Sequence, residues 1–205
     1  MNALLIFDMQ NDFMSSGSFP LLGVEEIIEP MQKLASKFSW IYAVQDCHPA
    51  DHVSFALNHG RRPGEEMALS YGVQKLHPVH CVKGSFGAEI TAALSSVSVK
   101  KTFYKCLQKV VDSISAFIDA KGKKATSIDQ ELKKRRIDTL SFSGIGADSS
   151  IKESMIDAAG LGYLCYLVTD VSRPRDKDAY RENRLLRELN GYGIQGVLSH
   201  QAPVN

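Results

Sequence analysis

Two histidines and two acids stand close together in the segment 46–52, directly after a short apolar run. Asp46 and His48 leave the end of a predicted strand with one residue between them, so both side chains face the same side. His80 follows much later, in a long irregular stretch. A carboxylate with two or three imidazoles is a ligand set for a divalent transition metal. Alternatively, these are polar loop residues bonded to the backbone, and spacing alone favours that alternative.

A second group with chemical potential lies at 143–150, where an apolar run leads through a glycine-rich turn into a predicted helix. The turn places Ser149 and Ser150 at a helix N-terminus, where backbone N–H groups stabilise anions, so either hydroxyl is a candidate nucleophile. Serine before a helix is also a common N-cap, and the local sequence favours that role. Asp8 and Lys105 end two other apolar runs, and a buried Asp–Lys pair beside a hydroxyl is an acid–base device.

The elements that must position these residues alternate between short apolar runs and amphipathic segments, which predicts an α/β fold. We expect a doubly wound, mostly parallel sheet of five to six strands with helices on both faces. Strands are predicted at 3–7, 40–44, 99–104, 139–142, 163–169 and 193–198. Helices are predicted at 23–38, 128–136, 149–159 and 176–189. Since ligands bind at the carboxyl ends of parallel strands, the candidate residues should meet at one edge of the sheet.

The composition of the 205 residues is ordinary for a globular protein, with 44% hydrophobic and 23% charged residues. The formal net charge of +1 argues against a strongly basic surface for nucleic acid or membranes, so we expect a small-molecule partner and neither of those. The length predicts a single domain over 1–205. Four cysteines without paired spacing, and no leader or long apolar run, predict reduced thiols in a cytoplasmic protein.

Five segments, in order, resemble the nicotinamidases and pyrazinamidases of the isochorismatase-like (cysteine hydrolase) superfamily. They begin at residues 6, 45, 72, 104 and 144 and read IFDMQNDF, QDCHPADHVSF, GVQKLHPVHCV, YK followed by DSISAF, and GIGADSSIK. The third is the most specific, because it is similar to the G-x-Q-x-L-W-P-x-H-C-V run of nicotinamidases. The resemblance extends over nearly the whole chain and implies the isochorismatase-like fold.

The resemblance implies hydrolysis of nicotinamide to nicotinate and ammonia, a step of NAD salvage. In such enzymes a cysteine attacks the amide carbon and water hydrolyses the resulting thioester. Asp8 matches the acid that takes the thiol proton, and Lys105 matches the lysine that stabilises the pair. The backbone N–H groups of Gly146 and Ser150 match the oxyanion hole, with a cis peptide bond usual before the first of them. Relatives often associate, so the resemblance also implies a homo-oligomer as one state of the protein.

The same resemblance implies a divalent metal ion on Asp46, His48 and His80. Zinc is the first expectation, with iron and manganese as the alternatives. With its bound waters, such an ion binds the pyridine nitrogen of the substrate. Some members also use the position of His52 as a ligand.

The chain departs from the nicotinamidase pattern around the substrate ring. Phe13, His77 and Ile114 match the walls of the ring pocket, but nicotinamidases usually have Trp at the position of His77 and Tyr at that of Ile114. Cys106 replaces the usual Gly after the lysine, and Gly146 replaces Ala. The changes at His77 and Ile114 make the predicted stacking surface smaller than that of a typical nicotinamidase.

The nucleophile position itself holds Ser150 instead of cysteine. One interpretation is an engineered substitution that blocks chemistry, and the other is natural divergence. The accompanying changes favour divergence, because a single engineered substitution would not produce them. We therefore expect a nicotinamidase-like amidohydrolase whose activity is reduced or lost. The alternatives are a non-catalytic member that binds a metal and a small ligand, and a hydrolase of another small amide.

Overall fold

Six parallel strands form the central sheet of the computed structural model, which describes residues 1–176 and 181–204. The strands in chain order are β1 (Asn2–Phe7), β2 (Ile41–Asp46), β3 (Glu66–Leu69), β4 (Gly72–Lys75), β5 (Lys101–Lys105), β6 (Thr139–Ile145), β7 (Leu164–Arg173) and β8 (Gln195–Val197). The sheet has the order β5-β2-β1-β6-β7-β8, and every neighbouring pair in it is parallel. β3 and β4 form a separate antiparallel hairpin.

Helices cover both faces of this sheet, which confirms the predicted fold class. They are α1 (Ile28–Ala35), α2 (Ile128–Lys134), α3 (Ser150–Gly160) and α4 (Glu182–Asn190). Leu5 and Phe7 of β1 belong to the core that contains α2, α3 and α4, whereas Leu4 and Ile6 belong to the core that contains α1. Because both of its faces are covered, β1 is apolar at every position from Ala3 onwards and not only at alternate ones.

Several boundaries differ from the prediction. The first predicted helix is shorter, since a 3-10 turn at Glu25–Ile27 precedes α1. The last one begins only at Glu182, and residues 177–180 of the predicted span lie outside the described residues. The hairpin of β3 and β4 was missed, because these short strands are mostly exposed and carry no apolar alternation. In the described parts of the chain, no helix has the length and apolarity needed to cross a bilayer.

The strand order creates a crevice at one edge of the sheet. The chain runs outwards from β1 through β2 to β5 and then returns to β6 on the other side of β1. In open parallel sheets, ligands bind at the carboxyl ends of the strands where the order reverses in this way. Asp8 follows β1 at this point, and the turn after β6 leads to Ser150 at the start of α3.

Candidate active site

A cavity of about 350 Å³ lies at this edge of the sheet. Most of the predicted site residues line it: Asp46, His48, His77, His80, Lys105, Ile114 and Ser150. The strand register brings them together, since β2 and β5 pair so that Asp46 lies opposite Lys105. On the other side, β1 and β6 pair so that Phe7 lies opposite Gly144. Segments distant in sequence therefore contribute to a single site.

Ser150, Asp8 and Lys105 form a buried acid–base group. The Ser150 hydroxyl donates a hydrogen bond of 2.8 Å to Oδ2 of Asp8, and Nζ of Lys105 is 3.3 Å from the same oxygen. All three residues are at most 2% exposed. Burial raises the pKa of Asp8 above its ordinary value, although Lys105 opposes this effect. A hydroxyl next to a carboxylate of raised pKa has the geometry of a nucleophile with its base.

The capping interpretation of the two serines does not explain these contacts. Ser149 occupies the N-cap position of α3, but its side chain makes no capping hydrogen bond. Ser150 is the first residue of the helix, and its hydroxyl bonds to Asp8, which is 142 residues away in sequence. The structure therefore distinguishes the two hydroxyls, and only that of Ser150 contacts the carboxylate.

Asp46, His48 and His80 lie close to one another in the lining of the same cavity. The rings of the two histidines are 4.7 Å apart, and Nε2 of His80 is 3.8 Å from Oδ2 of Asp46. Nδ1 of His48 and Nε2 of His80 are buried and have no hydrogen-bond partner among the described residues. Burial lowers the pKa of His48 to about 3, so its imidazole is neutral, as a metal ligand must be. These residues fit a divalent transition metal.

The fold and this site can now be compared with known proteins. The isochorismatase domain family matches residues 2–193. The chain belongs to the isochorismatase family. It is 34% identical to the nicotinamidase of Acinetobacter baylyi over 198 residues, 96% of this chain and 92% of the relative. These matches confirm the resemblance that the sequence motifs indicated.

Solved structures agree with this assignment. A nicotinamidase/pyrazinamidase from Acinetobacter baumannii superposes with a TM-score of 0.91 at 30% identity, covering 97% of this chain and 96% of the other. The pyrazinamidase of Pyrococcus horikoshii in complex with zinc superposes with a TM-score of 0.77 at 25% identity, covering 96% and 98%. The family thus includes a member that binds a divalent metal.

Compared with the pattern expected for the family, the turn before α3 differs. Among the described residues there is no cis peptide bond, so the expected one before Gly146 is absent. The Gly146 N–H donates to the carbonyl oxygen of Arg173 at 2.8 Å and is not available as a second oxyanion donor. The Ser150 N–H lies in the first turn of α3, where helices have no internal acceptor. Gly146 is nevertheless required, because a Cβ there would be 2.2 Å from the Ser150 hydroxyl.

Arg175 is the site residue that sequence reasoning missed. Its guanidinium lines the cavity and donates a 2.7 Å hydrogen bond to Oδ2 of Asp46. Although burial opposes it, Lys105 and Arg175 hold the pKa of Asp46 well below its usual range. The segment SRPR contained a signal, since Pro174 ends a strand and an arginine follows at once, but nothing in it indicated a partner.

Two further residues that the resemblance singled out, Phe13 and His52, make contacts that bear on their expected roles. Phe13 was predicted as a pocket wall, but it is not among the residues that line the cavity. It is fully buried, and the Arg175 guanidinium lies 5.0 Å from its ring centroid. His52 lies beside His48, with ring centroids 4.6 Å apart. Its ring nitrogens contact the Ser54 hydroxyl at 2.7 Å and a backbone carbonyl at 3.2 Å, and His52 also forms a group with His48 and Asp112 whose ligand atoms lie within 4.8 Å of one another.

Proposed function

We propose that this chain is a nicotinamidase-type amidohydrolase that uses Ser150 as its nucleophile and turns over slowly. The observation that carries the proposal is the 2.8 Å hydrogen bond from the Ser150 hydroxyl to Asp8, next to Lys105. The substrate class is supported by the nicotinamidases among its relatives. A cavity of about 350 Å³ has room for a single-ring amide such as nicotinamide.

The reaction follows from these positions. The Ser150 oxygen attacks the amide carbon, and its proton passes to Asp8. The C–N bond then breaks, and Asp8 returns the proton to the nitrogen, so that ammonia leaves and a nicotinoyl ester remains. Water next gives a proton to Asp8 and attacks the ester. Asp8 passes that proton to the Ser150 oxygen, which leaves as the hydroxyl, and the nicotinic acid that is released ionises to nicotinate. The Lys105 ammonium compensates the charge of Asp8 throughout.

The slow turnover follows from the acidity of the nucleophile. A cysteine thiol has a pKa of about 8.5, so a neighbouring carboxylate and ammonium can convert it to the reactive thiolate. A serine hydroxyl is a far weaker acid, and the raised pKa of Asp8 supplies only part of the missing basicity. We therefore expect the acylation step to limit the rate.

Asp46, His48 and His80 would hold the metal ion in this proposal, and zinc is the expected ion. When bound, the ion would orient the substrate by accepting its ring nitrogen, either directly or through water. The neutral imidazole of His48 and the ionised carboxylate of Asp46 are the forms that such binding needs.

All four cysteines are free and buried, which supports the expected cytoplasmic setting.

The contacts of Arg175 favour a second candidate function, namely a non-catalytic protein that binds the small ligand. This guanidinium pairs with Asp46 and lies 3.6 Å from Oδ2 of Asp8. It therefore competes for the two carboxylates on which metal binding and proton transfer depend. Position 150 also has no thiol, so this competition would suit a protein that binds its small ligand without turning it over.

Ammonia release from nicotinamide, measured with zinc-loaded protein, distinguishes these functions. We expect the native chain to release ammonia slowly and Ser150→Ala to release none. Ser150→Cys should exceed the native rate at least about 100-fold, which is the size of one acid–base contribution. Ser149→Cys is the matched control, because the neighbouring hydroxyl does not contact Asp8. Equal rates for the native chain and Ser150→Ala would favour the binding protein. An inactive Ser150→Cys would show that the cavity does not process nicotinamide.

A further inference from the structure

The thiol of Cys106 lines the same cavity, although the proposed reaction does not use it. Cys106 directly follows Lys105 at the end of β5 and is 3% exposed. Its Sγ lies 3.4 Å from Oδ1 of Asp46 and 3.3 Å from Oδ1 of Asp112. A third acceptor, the carbonyl oxygen of Ser113, is also 3.4 Å away. The sulfur thus lies among oxygen atoms and next to a candidate metal ligand.

We propose that Cys106 is an additional ligand of the divalent metal, so that this site binds its ion through sulfur as well as nitrogen and oxygen. The inference rests on the metal site of the proposed function and extends it. It assigns a chemical role to a side chain that occupies a position where nicotinamidases usually have glycine. It also identifies zinc as the preferred ion on chemical grounds.

The geometry of three side chains supports this assignment. Asp46, His48 and Cys106 present ligand atoms that all lie within 4.8 Å of one another. Tetrahedral zinc, with bonds of about 2.0–2.3 Å, requires ligand atoms roughly 3.3 to 3.8 Å apart. Small side-chain movements would therefore complete the set. Nε2 of His80 is also unpartnered and lies 3.8 Å from Oδ2 of Asp46, although it falls outside this set of three.

The backbone conformation of Cys106 also supports a functional role. Its φ of +61° lies in the left-handed region that favours glycine. A side chain in that region is strained, and such strain in proteins clusters at ligand sites and active sites. Asp8, whose carboxylate accepts the hydrogen bond of the Ser150 hydroxyl, has a φ of +53° directly after β1. Cys106 thus presents its thiol to Asp46 from a strained backbone conformation.

The chemistry of a thiol favours a role as metal ligand for Cys106 over a structural role as hydrogen-bond donor. The Cys106 sulfur is buried against the carboxylates of Asp46 and Asp112. A thiol is a weak donor, so its hydrogen bonds to these acceptors contribute little. A bound cation would interact more strongly with the sulfur than these acceptors do, because metal ions bind the thiolate and displace its proton. Sulfur favours zinc over manganese, which prefers oxygen ligands.

Cobalt(II) loading of the metal-free full-length chain tests the proposal directly. Cobalt replaces zinc in such sites, and a thiolate ligand gives an intense charge-transfer band in the near ultraviolet. We expect this band in the native chain and its loss in Cys106→Gly, a substitution that suits the φ of +61°. Cys47→Ala is the matched control and should keep the band. Cys47 stands between Asp46 and His48 in sequence but lines a different cavity.

Three results would overturn the proposal: cobalt bound without the band, a band that persists in Cys106→Gly, or no cobalt bound at all. A competition titration provides the second measurement. Zinc affinity should fall in Cys106→Gly by roughly 10- to 100-fold or more, because substitutions of residues outside the ligand set already cause losses of that size. Manganese affinity should change little. Equal losses for both ions would count against sulfur ligation. The band reports on Cys106 whether or not nicotinamide is hydrolysed, so a failure of turnover affects only the proposed function.

Discussion

Two buried carboxylates that both contact Lys105 have opposite properties. Asp8 accepts a hydrogen bond from a hydroxyl and has a raised pKa, whereas Asp46 binds two cations and has a pKa well below its usual range. Both contact Lys105, but Lys105 and Arg175 each lie closer to Asp46 than to Asp8, and the Arg175 guanidinium is 2.7 Å from Asp46 and 3.6 Å from Asp8. Neighbouring acids whose pKa values are driven apart take different roles. Here Asp8 is suited to proton transfer and Asp46 to binding a cation.

The largest effect should come from removing the Lys105 ammonium, which contacts both carboxylates. Lys105→Met would leave two buried carboxylates without their ammonium, and breaking a buried ion pair costs about 3–5 kcal/mol of unfolding free energy. Chemical denaturation at neutral pH would measure the loss. Lys101→Met, at an exposed position of β5, is the control and should change stability by less than about 0.5 kcal/mol. Equal stability of the two variants would mean that Lys105 does not hold the carboxylates together.

The next effect is a pH dependence that separates the two acids in metal-free protein. A carboxyl whose folded pKa lies below its unfolded value of about 3.9 stabilises the fold above that pH and loses this contribution as the pH falls. Asp46→Asn should therefore destabilise the chain at pH 7 by about 3 kcal/mol, and the difference from native should shrink below about pH 4.

Asp8→Asn should behave in the opposite way. Because burial raises the pKa of Asp8, its ionised form opposes folding at neutral pH, and this penalty disappears as the pH falls. The variant should be at least as stable as the native chain at pH 7 and should lose that advantage in acid. Denaturation curves collected from about pH 3 to pH 7 would check both acids. Identical pH profiles for the two variants would refute the contrast.

The smallest effect concerns the competition between Arg175 and the metal. Arg175→Met frees Oδ2 of Asp46, so zinc affinity should increase roughly tenfold, equivalent to about 1.4 kcal/mol. Titration against a competing chelator would measure it. The control is Arg173→Met, since that nearby guanidinium pairs with Glu26 at 3.2 Å. Unchanged or weaker zinc binding in Arg175→Met would mean that the two cations do not compete.

Most of the sheet could be predicted from sequence, because its central strands are covered on both faces and are therefore nearly continuously apolar. β1 and β2 are the clearest cases. The hairpin of β3 and β4 could not be predicted, because its exposed strands have no apolar pattern. β7 continues to Arg173, past its predicted end, across an irregularity in its pairing with β6 that no local pattern indicates.

The amino-acid sequence by itself determined which chemical groups reach the edge of the sheet. Strand ends carry Asp8, Asp46 and Lys105, and the turn into α3 carries Ser150 instead of cysteine. Only the tertiary structure decided which partner each group has. Arg175 meets Asp46 across 129 residues of sequence. The motif resemblance had already suggested proton transfer for Asp8 and metal binding for Asp46. Because pKa values and hydrogen bonds depend on burial and on distances of a few ångströms, only the structure gives the physical reason for that division.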